Sequence, residues 1–181
     1  GGHVCVGGTI YEADAYPAEY QGQFITANLL SHNVYQSTLV PVGSTFETHA
    51  NGELLNSNDT WFASSDMTLG PDGSLYVADW NDRRTAHPDP DAEWDRSNGR
   101  VYRIKAKGTP PTAPFNLRDM ATSDLITTLD HPNKWWVRRA QVNLAMRDDA
   151  TAEDQLATEA FDHPGTRHGR NRFFTLYGTY G

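Results

Sequence analysis

The chain has 181 residues with a formal net charge of −8, and 38% of its residues are hydrophobic and 21% charged. This balance is ordinary for a folded globular protein and excludes a disordered tail. Cys5 is the only cysteine, which excludes an internal disulfide, a zinc cluster built on cysteines and a c-type haem attachment site within this stretch. No apolar run has the length of a signal peptide or approaches the roughly 20 residues that span a membrane.

Charge is distributed unevenly along the chain. Residues 1–106 contain 6 basic and 14 acidic side chains, whereas residues 107–181 contain 9 of each. Binding to nucleic acid depends on clustered lysine and arginine, which the first part lacks. The sequence therefore predicts two different domains and no nucleic-acid partner.

The first part of the chain carries the pattern of β-strands. Short runs rich in β-branched and aromatic residues, separated by glycine, proline, asparagine and serine, occupy residues 8–11, 23–30 and 33–40. A hairpin is predicted where the tight turn at residues 70–73 precedes a strand at residues 75–79. A further strand is predicted at residues 99–104, since Val101 and Arg103 alternate with Tyr102 and Ile104 and so point to opposite faces.

A proline-rich segment follows the last predicted strand. Pro110, Pro111 and Pro114 stand close together, and neither a strand nor a helix continues through them. We therefore expect a β domain at residues 1–106, a linker at 107–118 and a helical domain at 119–181.

Beyond this linker, the apolar residues are spaced as in α-helices. Helix starts are predicted at Ser123, Pro132, Thr151 and either Pro164 or Thr166, with the first two helices running through Leu129 and Met146. Asp-His-Pro occurs at residues 130–132 and again 32 residues later. This alignment matches Leu129 with Phe161, Arg138 with Arg170, Val142 with Phe174 and Leu144 with Leu176. Repeats of this kind stack, and about three or more are usually needed for stability, so we expect the chain to be part of a longer protein.

Five motifs carry a resemblance to a known family. They are Tyr-Pro-Ala-Glu-Tyr-Gln-Gly-Gln-Phe at residues 16–24, Asn-Asp-Thr-Trp-Phe at 58–62, Gly-Pro-Asp-Gly at 70–73, Tyr-Val-Ala-Asp-Trp at 76–80 and Asp-Arg-Ser-Asn-Gly-Arg-Val-Tyr-Arg-Ile at 95–104. Together they resemble glucose/sorbosone dehydrogenase-like propellers, in particular the planctomycete-type membrane-bound dehydrogenases, a PVC-type haem-binding protein family. Asn-Lys-Trp-Trp at residues 133–136 is similar to the first helical repeat of those proteins.

The resemblance implies both a fold and a function. In that family a β-propeller is followed by HEAT repeats and often by a cytochrome c domain, so we expect a multidomain β then α chain with the terminal blades of a β-propeller followed by HEAT-like α-helical repeats. It also implies a periplasmic or secreted oxidoreductase that acts on a carbohydrate or alcohol and passes electrons to haem c outside this chain. The remaining blades and further HEAT repeats would then be its partners within the parent protein.

One departure concerns the cofactor. Quinone-binding relatives carry Arg-x-Arg-Asp just before the Gly-Pro-Asp-Gly turn, and guanidinium groups suit the carboxylates of pyrroloquinoline quinone. Residues 63–66 read Ala-Ser-Ser-Asp in this chain, so the aspartate is present and both arginines are missing. This argues against quinone binding at this blade, and Asp66 stays a candidate for orienting substrate or cofactor.

The richest polar segment is the long connection at residues 80–95. His87 is a candidate general base, and Asp89 and Asp91 are candidate Ca²⁺ ligands. The candidates for orienting substrate or cofactor are Asp82, Asp95 and the adjacent Arg96. The alternative is a solvated loop in which proline and aspartate form Asx-turns and the arginines pair with nearby carboxylates.

A second group of candidates lies closer to the start of the chain. His3 is predicted to be a ligand or proton acceptor in the propeller channel, and His32 follows a strand and could face the same channel. Cys5 would share a strand face with His3, which permits joint metal binding or an activated thiol. The alternative for Cys5 is a small buried hydrophobic residue.

Other polar and aromatic residues receive structural predictions. Asp72 is expected to build a turn, Asp79 to end a strand, and Asp66 to hold the loop around Trp61 by backbone hydrogen bonds. In the helices, one member of each adjacent pair, Trp135–Trp136 and Phe173–Phe174, is expected to face the core. A solvated basic face is predicted from Arg138, Arg139, Arg167, Arg170 and Arg172.

The sequence leaves two functions open. The first is a sugar or alcohol dehydrogenase-like protein in which a histidine removes the hydroxyl proton while aspartates and Ca²⁺ orient the substrate. The second is a non-catalytic carbohydrate- or protein-binding propeller on a helical-repeat scaffold, which the missing arginines favour.

Overall fold

The computed structural model describes residues 4–83, 97–147 and 149–180. The chain divides into two compact units, Gly1–Pro110 and Pro111–Gly181. Their boundary lies inside the predicted proline-rich linker. The first unit contains antiparallel β-sheets and the second contains four α-helices, which is the order expected from the sequence.

The first four strands form one antiparallel sheet in the order β1-β2-β3-β4. They are β1 (Cys5–Ile10), β2 (Phe24–Asn28), β3 (Asn33–Val42) and β4 (Thr45–Asn56). The first three correspond to predicted strands, with their ends moved by a few residues. β4 was not predicted, because it is mostly polar and exposed and so lacks the alternation of a half-buried strand. It pairs with β3 through a tight turn in which Gly43 has φ of 59°.

The second sheet has three antiparallel strands in the order β5-β6-β7. They are β5 (Ser64–Leu69), β6 (Leu75–Asp79) and β7 (Arg100–Ile104). This confirms the hairpin predicted around residues 70–73 and the strand predicted at residues 99–104. Asp72 has the predicted turn role, since its carboxylate accepts a hydrogen bond from the Ser74 N–H at 3.1 Å and also pairs with Arg103.

The two sheets contact each other where β1 lies against β5. Gly7 interrupts the β1–β2 register between Val6 and Thr9 and has φ of 62°. A Cβ atom at Gly7 would lie 2.6 Å from the Met67 nitrogen, so only glycine permits this approach. The core of the unit is formed by the fully buried side chains of Tyr11, Ile25, Val34, Phe62, Leu75 and Val77.

Two stacked tyrosines join the sheets at the end of β1. The Tyr11 and Tyr16 ring centroids lie 4.4 Å apart at an interplanar angle of 14°. The Tyr11 hydroxyl donates to the Gly73 carbonyl at 3.0 Å and accepts from the Tyr16 N–H at 2.8 Å. Burial raises the pKa of Tyr11 to about 12, so the hydroxyl stays protonated and keeps donating.

The second unit contains α1 (Thr122–Thr128), α2 (Lys134–Ala145), α3 (Ala150–Asp162) and α4 (Arg167–Tyr180). Its core includes Leu125, Ile126, Leu129, Val137, Leu144 and Leu156. The predicted N-cap at Ser123 is wrong, because α1 begins after Ala121 without a side-chain cap. Asn133 caps α2 one residue after the predicted start at Pro132, and Asp149 caps α3 two residues before the predicted start at Thr151, since each side chain accepts from an N–H of the first turn. Thr166 has the predicted role at α4, where its hydroxyl accepts from the Gly169 N–H at 3.0 Å.

Three helix-face predictions need correction. Trp135 and Trp136 are both partly buried against the core, whereas Phe173 and Phe174 are both exposed, so neither pair divides between core and surface. Arg172 does not belong to a solvated face, because its guanidinium is buried between carboxylates. Among the described residues, no helix combines the length and apolar character that crossing a membrane requires.

Candidate functional site

Five strand ends lie at one edge of the two sheets, which we call the loop edge. They are Asn28 at the end of β2, Asn33 at the start of β3, Asn56 at the end of β4, Ser64 at the start of β5 and Asp79 at the end of β6. Side-chain contacts link the two sheets here, because His32 between β2 and β3 bonds to Phe62 just before β5. Polar residues from three connections, β2–β3, β4–β5 and β6–β7, therefore lie at this edge.

The described site candidates lie at or near this edge. Cys5 pairs with Asn28 and is exposed, so the buried alternative for this thiol is wrong. Asp82 follows β6 and is buried and engaged with its surroundings. Asp66 is exposed on β5. The other predicted candidates lie outside the described residues, and they are His3, His87, Asp89, Asp91, Asp95 and Arg96.

Asp66 does not hold the Trp61 loop as predicted. Its Oδ1 accepts from the N–H of the adjacent Met67 at 2.7 Å. The Trp61 N–H instead donates to Oδ1 of Asp59 at 2.9 Å. Asp59 is closer in sequence, and an aspartate readily accepts from the backbone two residues further on.

The His32 ring is oriented by the backbone. Its Nδ1 lies 2.5 Å from the Phe62 carbonyl oxygen. A carbonyl can only accept, so Nδ1 carries the proton and Nε2 of the neutral ring carries the lone pair. The His32 carbonyl accepts from the Ser57 hydroxyl at 3.0 Å, which holds the connection itself. No described residue bonds to Nε2, so this nitrogen is available to accept a proton.

A buried carboxylate binds the other side of the same peptide group. Asp79 Oδ1 accepts from the Ala63 N–H at 2.9 Å and from the Asn81 N–H at 2.8 Å. The Ala63 N–H and the Phe62 carbonyl belong to one peptide group, so this unit connects the Asp79 carboxylate to the His32 ring. We call this arrangement the peptide bridge. The bridge therefore fixes the position of the Phe62 carbonyl that orients the His32 ring.

Two buried polar atoms beside the bridge have no described partner. They are Oδ2 of Asp79 and the hydroxyl oxygen of Ser64, which belong to residues paired across β5 and β6. Most buried polar atoms in proteins are hydrogen-bonded, so these two atoms are exceptions.

The backbone of the loop edge is also unusual. Among the described residues, the non-glycine residues with positive φ are His32 at 60°, Asn58 at 51° and Asn81 at 54°. All three lie in connections at this edge. Such conformations cost free energy and persist where surrounding contacts hold them. The connections are therefore held in defined shapes.

Sequence reasoning treated Asp79 only as a strand end and missed its role in the bridge. A signal was available, because Leu75, Val77 and Asp79 alternate along β6 and so share one face. All three are buried in the structure. A carboxylate on the buried face of a strand needs donors, which here are backbone amides.

The residues at the start of β5 do not fit a quinone. Ala63 and Ser64 are buried, and residues 63–66 include no cation that could pair with a quinone carboxylate. Within the described part of the chain, no group of three or more histidine, cysteine, aspartate or glutamate side chains is arranged to hold a metal ion. The predicted Ca²⁺ ligands Asp89 and Asp91 lie outside that part.

Comparison with known proteins places the first unit in a family. No curated protein and no solved structure matches the chain. Residues 3–108 match the family described as a domain of unknown function, DUF7133. The match covers more than half of the 181 residues and includes both sheets and the loop edge. The chain therefore belongs to the DUF7133 family.

Proposed function

We propose that this chain is part of a sugar- or alcohol-oxidising protein of the dehydrogenase-like class, and that substrate hydroxyl groups bind at the loop edge. The two sheets would be consecutive blades of a β-propeller, and the helices would be HEAT-like repeats. Supporting this, each sheet is an antiparallel meander in chain order, and β1 of one sheet lies against β5 of the next.

The observation that carries the proposal is the peptide bridge. A neutral imidazole whose Nδ1–H is held presents its Nε2 lone pair in a fixed direction, which suits removal of a hydroxyl proton. The Asp79 carboxylate holds the Ala63 N–H, so the peptide group that orients the ring is itself fixed in place. His32 is therefore our candidate proton acceptor within the described residues.

The remaining parts of the proposal rest on the resemblance. His3 and His87 stay candidates for the same proton transfer, and Asp82 and Asp95 for orienting the substrate. The electron acceptor is expected in a haem domain outside this chain, and no step is assigned to a quinone because residues 63–66 do not fit one.

A second function has its own support. Both His32 and Asp79 bond to the backbone, so the loop edge could present a fixed polar surface to a carbohydrate without chemistry.

The test uses the whole protein that contains this chain. Oxidation of sugars and simple alcohols is measured without oxygen, with an artificial electron acceptor and with and without Ca²⁺. We compare wild type with His32→Asn and His87→Ala. Asparagine tolerates positive φ and its amide can still donate to the Phe62 carbonyl, but it lacks Nε2. His49→Asn is the matched control, since this histidine is exposed on β4.

We expect His32→Asn to lower turnover about 100-fold or more while sugar binding and the melting temperature stay unchanged. Turnover equal to wild type would remove His32 from the mechanism, and a loss confined to His87→Ala would assign the proton transfer to that residue. Sugar binding without any turnover would favour the second function, carbohydrate binding without catalysis. Absence of both binding and turnover would contradict the proposal.

A further inference from the structure

A cavity of about 320 Å³ lies in the first unit, away from the loop edge. It is lined by Tyr16, Pro17, Tyr20, Leu54, Ile104, Lys105, Ala106 and Lys107. Ile104 pairs with Leu75 at the opposite end of the second sheet from Asp79, so most of this cavity lies at the other edge. Its size falls within the range of sites for small molecules.

One wall of the cavity is aromatic and rigid. The Tyr16 and Tyr20 rings meet edge to face, with centroids 5.6 Å apart. The Tyr16 hydroxyl donates to the Ile104 carbonyl at 2.5 Å and accepts from the Leu75 N–H at 3.3 Å, so Tyr16 contributes its ring rather than its hydroxyl. The Tyr20 hydroxyl bonds to no described residue and can serve a ligand.

Two of the lining residues are positively charged. Lys105 and Lys107 are exposed, and no carboxylate of the described residues lies within 4.0 Å of either ammonium group. The backbone between them is held, because both the N–H and the hydroxyl of Thr109 donate to the Ala106 carbonyl, at 3.1 and 2.8 Å. Residues 1–110 contain only 7 basic side chains against 14 acidic ones, so these lysines form a local positive patch on an acidic unit.

We infer that this cavity binds a small ring-shaped carboxylate of the sugar-acid class. The tyrosine wall suits the flat, apolar face of a ring, and the ammonium groups suit a carboxylate. A neutral sugar would leave the ammonium groups unused, and a small inorganic anion would leave the aromatic wall unused. The site is separate from the loop edge and does not depend on the function proposed there.

The test is a titration of the full chain followed by NMR of the tyrosine ring signals. The probe is D-glucuronate, with D-glucose as the uncharged ring and acetate as the charge without a ring. The variants are Lys105→Gln with Lys107→Gln, which removes both charges, and Tyr20→Phe, which removes only the hydroxyl. Arg138→Gln is the control, because it removes a positive charge from an exposed position in the helical unit.

We expect glucuronate to bind about ten-fold more tightly than glucose or acetate, and the double lysine variant to lose about that factor. Added salt should weaken glucuronate binding, and Arg138→Gln should bind as wild type does. Equal binding of glucuronate and glucose, equal binding by the double lysine variant, or no shift of the tyrosine signals at millimolar glucuronate would each overturn the inference. The comparison of the three probes on wild type decides the matter even if a variant fails to fold.

Discussion

Asp72 shows how one turn residue acquires an electrostatic role. Its side chain is 3% exposed and pairs with Arg103 across the second sheet. Burial raises the pKa of the carboxyl, but hydrogen bonds from Ser74 and the charge of Arg103 outweigh burial and hold the pKa below its ordinary value of 3.8. The ionised form therefore stabilises the fold.

This shift predicts a pH dependence of stability. A carboxyl whose pKa is lower in the folded state contributes stability above the unfolded value of 3.8, and that contribution is lost as the pH falls through the folded pKa. We expect Asp72→Asn to lower the free energy of unfolding by about 1 kcal/mol or more at neutral pH, with the difference from wild type shrinking in acid. Urea unfolding across a pH series measures it, with the exposed Asp66→Asn as control. A difference that persists undiminished at low pH would show that the charge is not its source.

At the scale of elements, the contact between β1 and β5 depends on one glycine. Gly7 and Gly43 have φ of 62° and 59°, so alanine is strained at both positions. Of the two, only Gly7 would bring the added Cβ against backbone, since no described residue lies within 4 Å of a Cβ at Gly43. The two positions therefore separate backbone strain from close packing.

We expect Gly43→Ala to lower the free energy of unfolding by about 1 kcal/mol and Gly7→Ala by about 3 kcal/mol. The measurement is chemical denaturation of both variants and wild type under one set of conditions. Equal losses would mean that β1 does not approach β5 as closely as the structure shows.

The helices are linked by a buried guanidinium on α4. Arg172 makes two bonds of 2.8 and 2.7 Å to Asp130, which follows α1, and one of 2.5 Å to Glu159 on α3. Burial raises the pKa of Glu159, but the bond and charge of Arg172 outweigh it and hold that pKa below its ordinary value. Arg172 thus compensates two carboxylates at once.

Arg172→Met removes this compensation and leaves the carboxylates facing a partly buried site. We expect the free energy of unfolding to fall by about 2 kcal/mol, less than for a fully buried pair, because water screens the half-exposed Asp130 and His168 contacts both carboxylates. The pKa of Glu159 should rise in the same variant, which NMR titration detects. Arg138→Met is the control on an exposed position of α2, and an equal loss in both variants would contradict the assigned role.

At the scale of the whole molecule, large apolar side chains stay exposed in both units. Phe46 on β4 is 59% exposed, and Phe161, Phe174 and Tyr177 on α3 and α4 are 70%, 63% and 72% exposed. β4 is also a long edge strand of the first sheet. Edges and apolar patches of this kind promote association between chains.

We therefore expect the chain to associate as its concentration rises. Replacing Phe174 and Tyr177 together by glutamine should shift it toward monomer without changing the circular dichroism spectrum, and Phe46→Gln tests the contribution of β4 separately. Sedimentation velocity over a concentration series measures the effect. A single monomeric species in wild type at every concentration would contradict the expectation.

The sequence by itself determined the features that depend on neighbouring residues. The turn at residues 70–73, the strands on either side of it, β7, and the change from β-strands to helices all follow from turn chemistry and hydrophobic period. The location of the proline-rich segment follows from the same local rules, because proline excludes regular structure wherever it stands in a run.

Tertiary structure alone decided the rest, because the deciding contacts join residues far apart in the chain. β4 exists through its pairing with β3, not through its own polar pattern. The local sequence predicts that Arg172 lies on the surface, but the fold buries it against Asp130 and Glu159. The peptide bridge joins His32, Phe62 and Asp79 across two sheets. The chemical behaviour of a carboxylate or an imidazole depends on such partners. No local sequence pattern specifies them, because they come from distant parts of the chain.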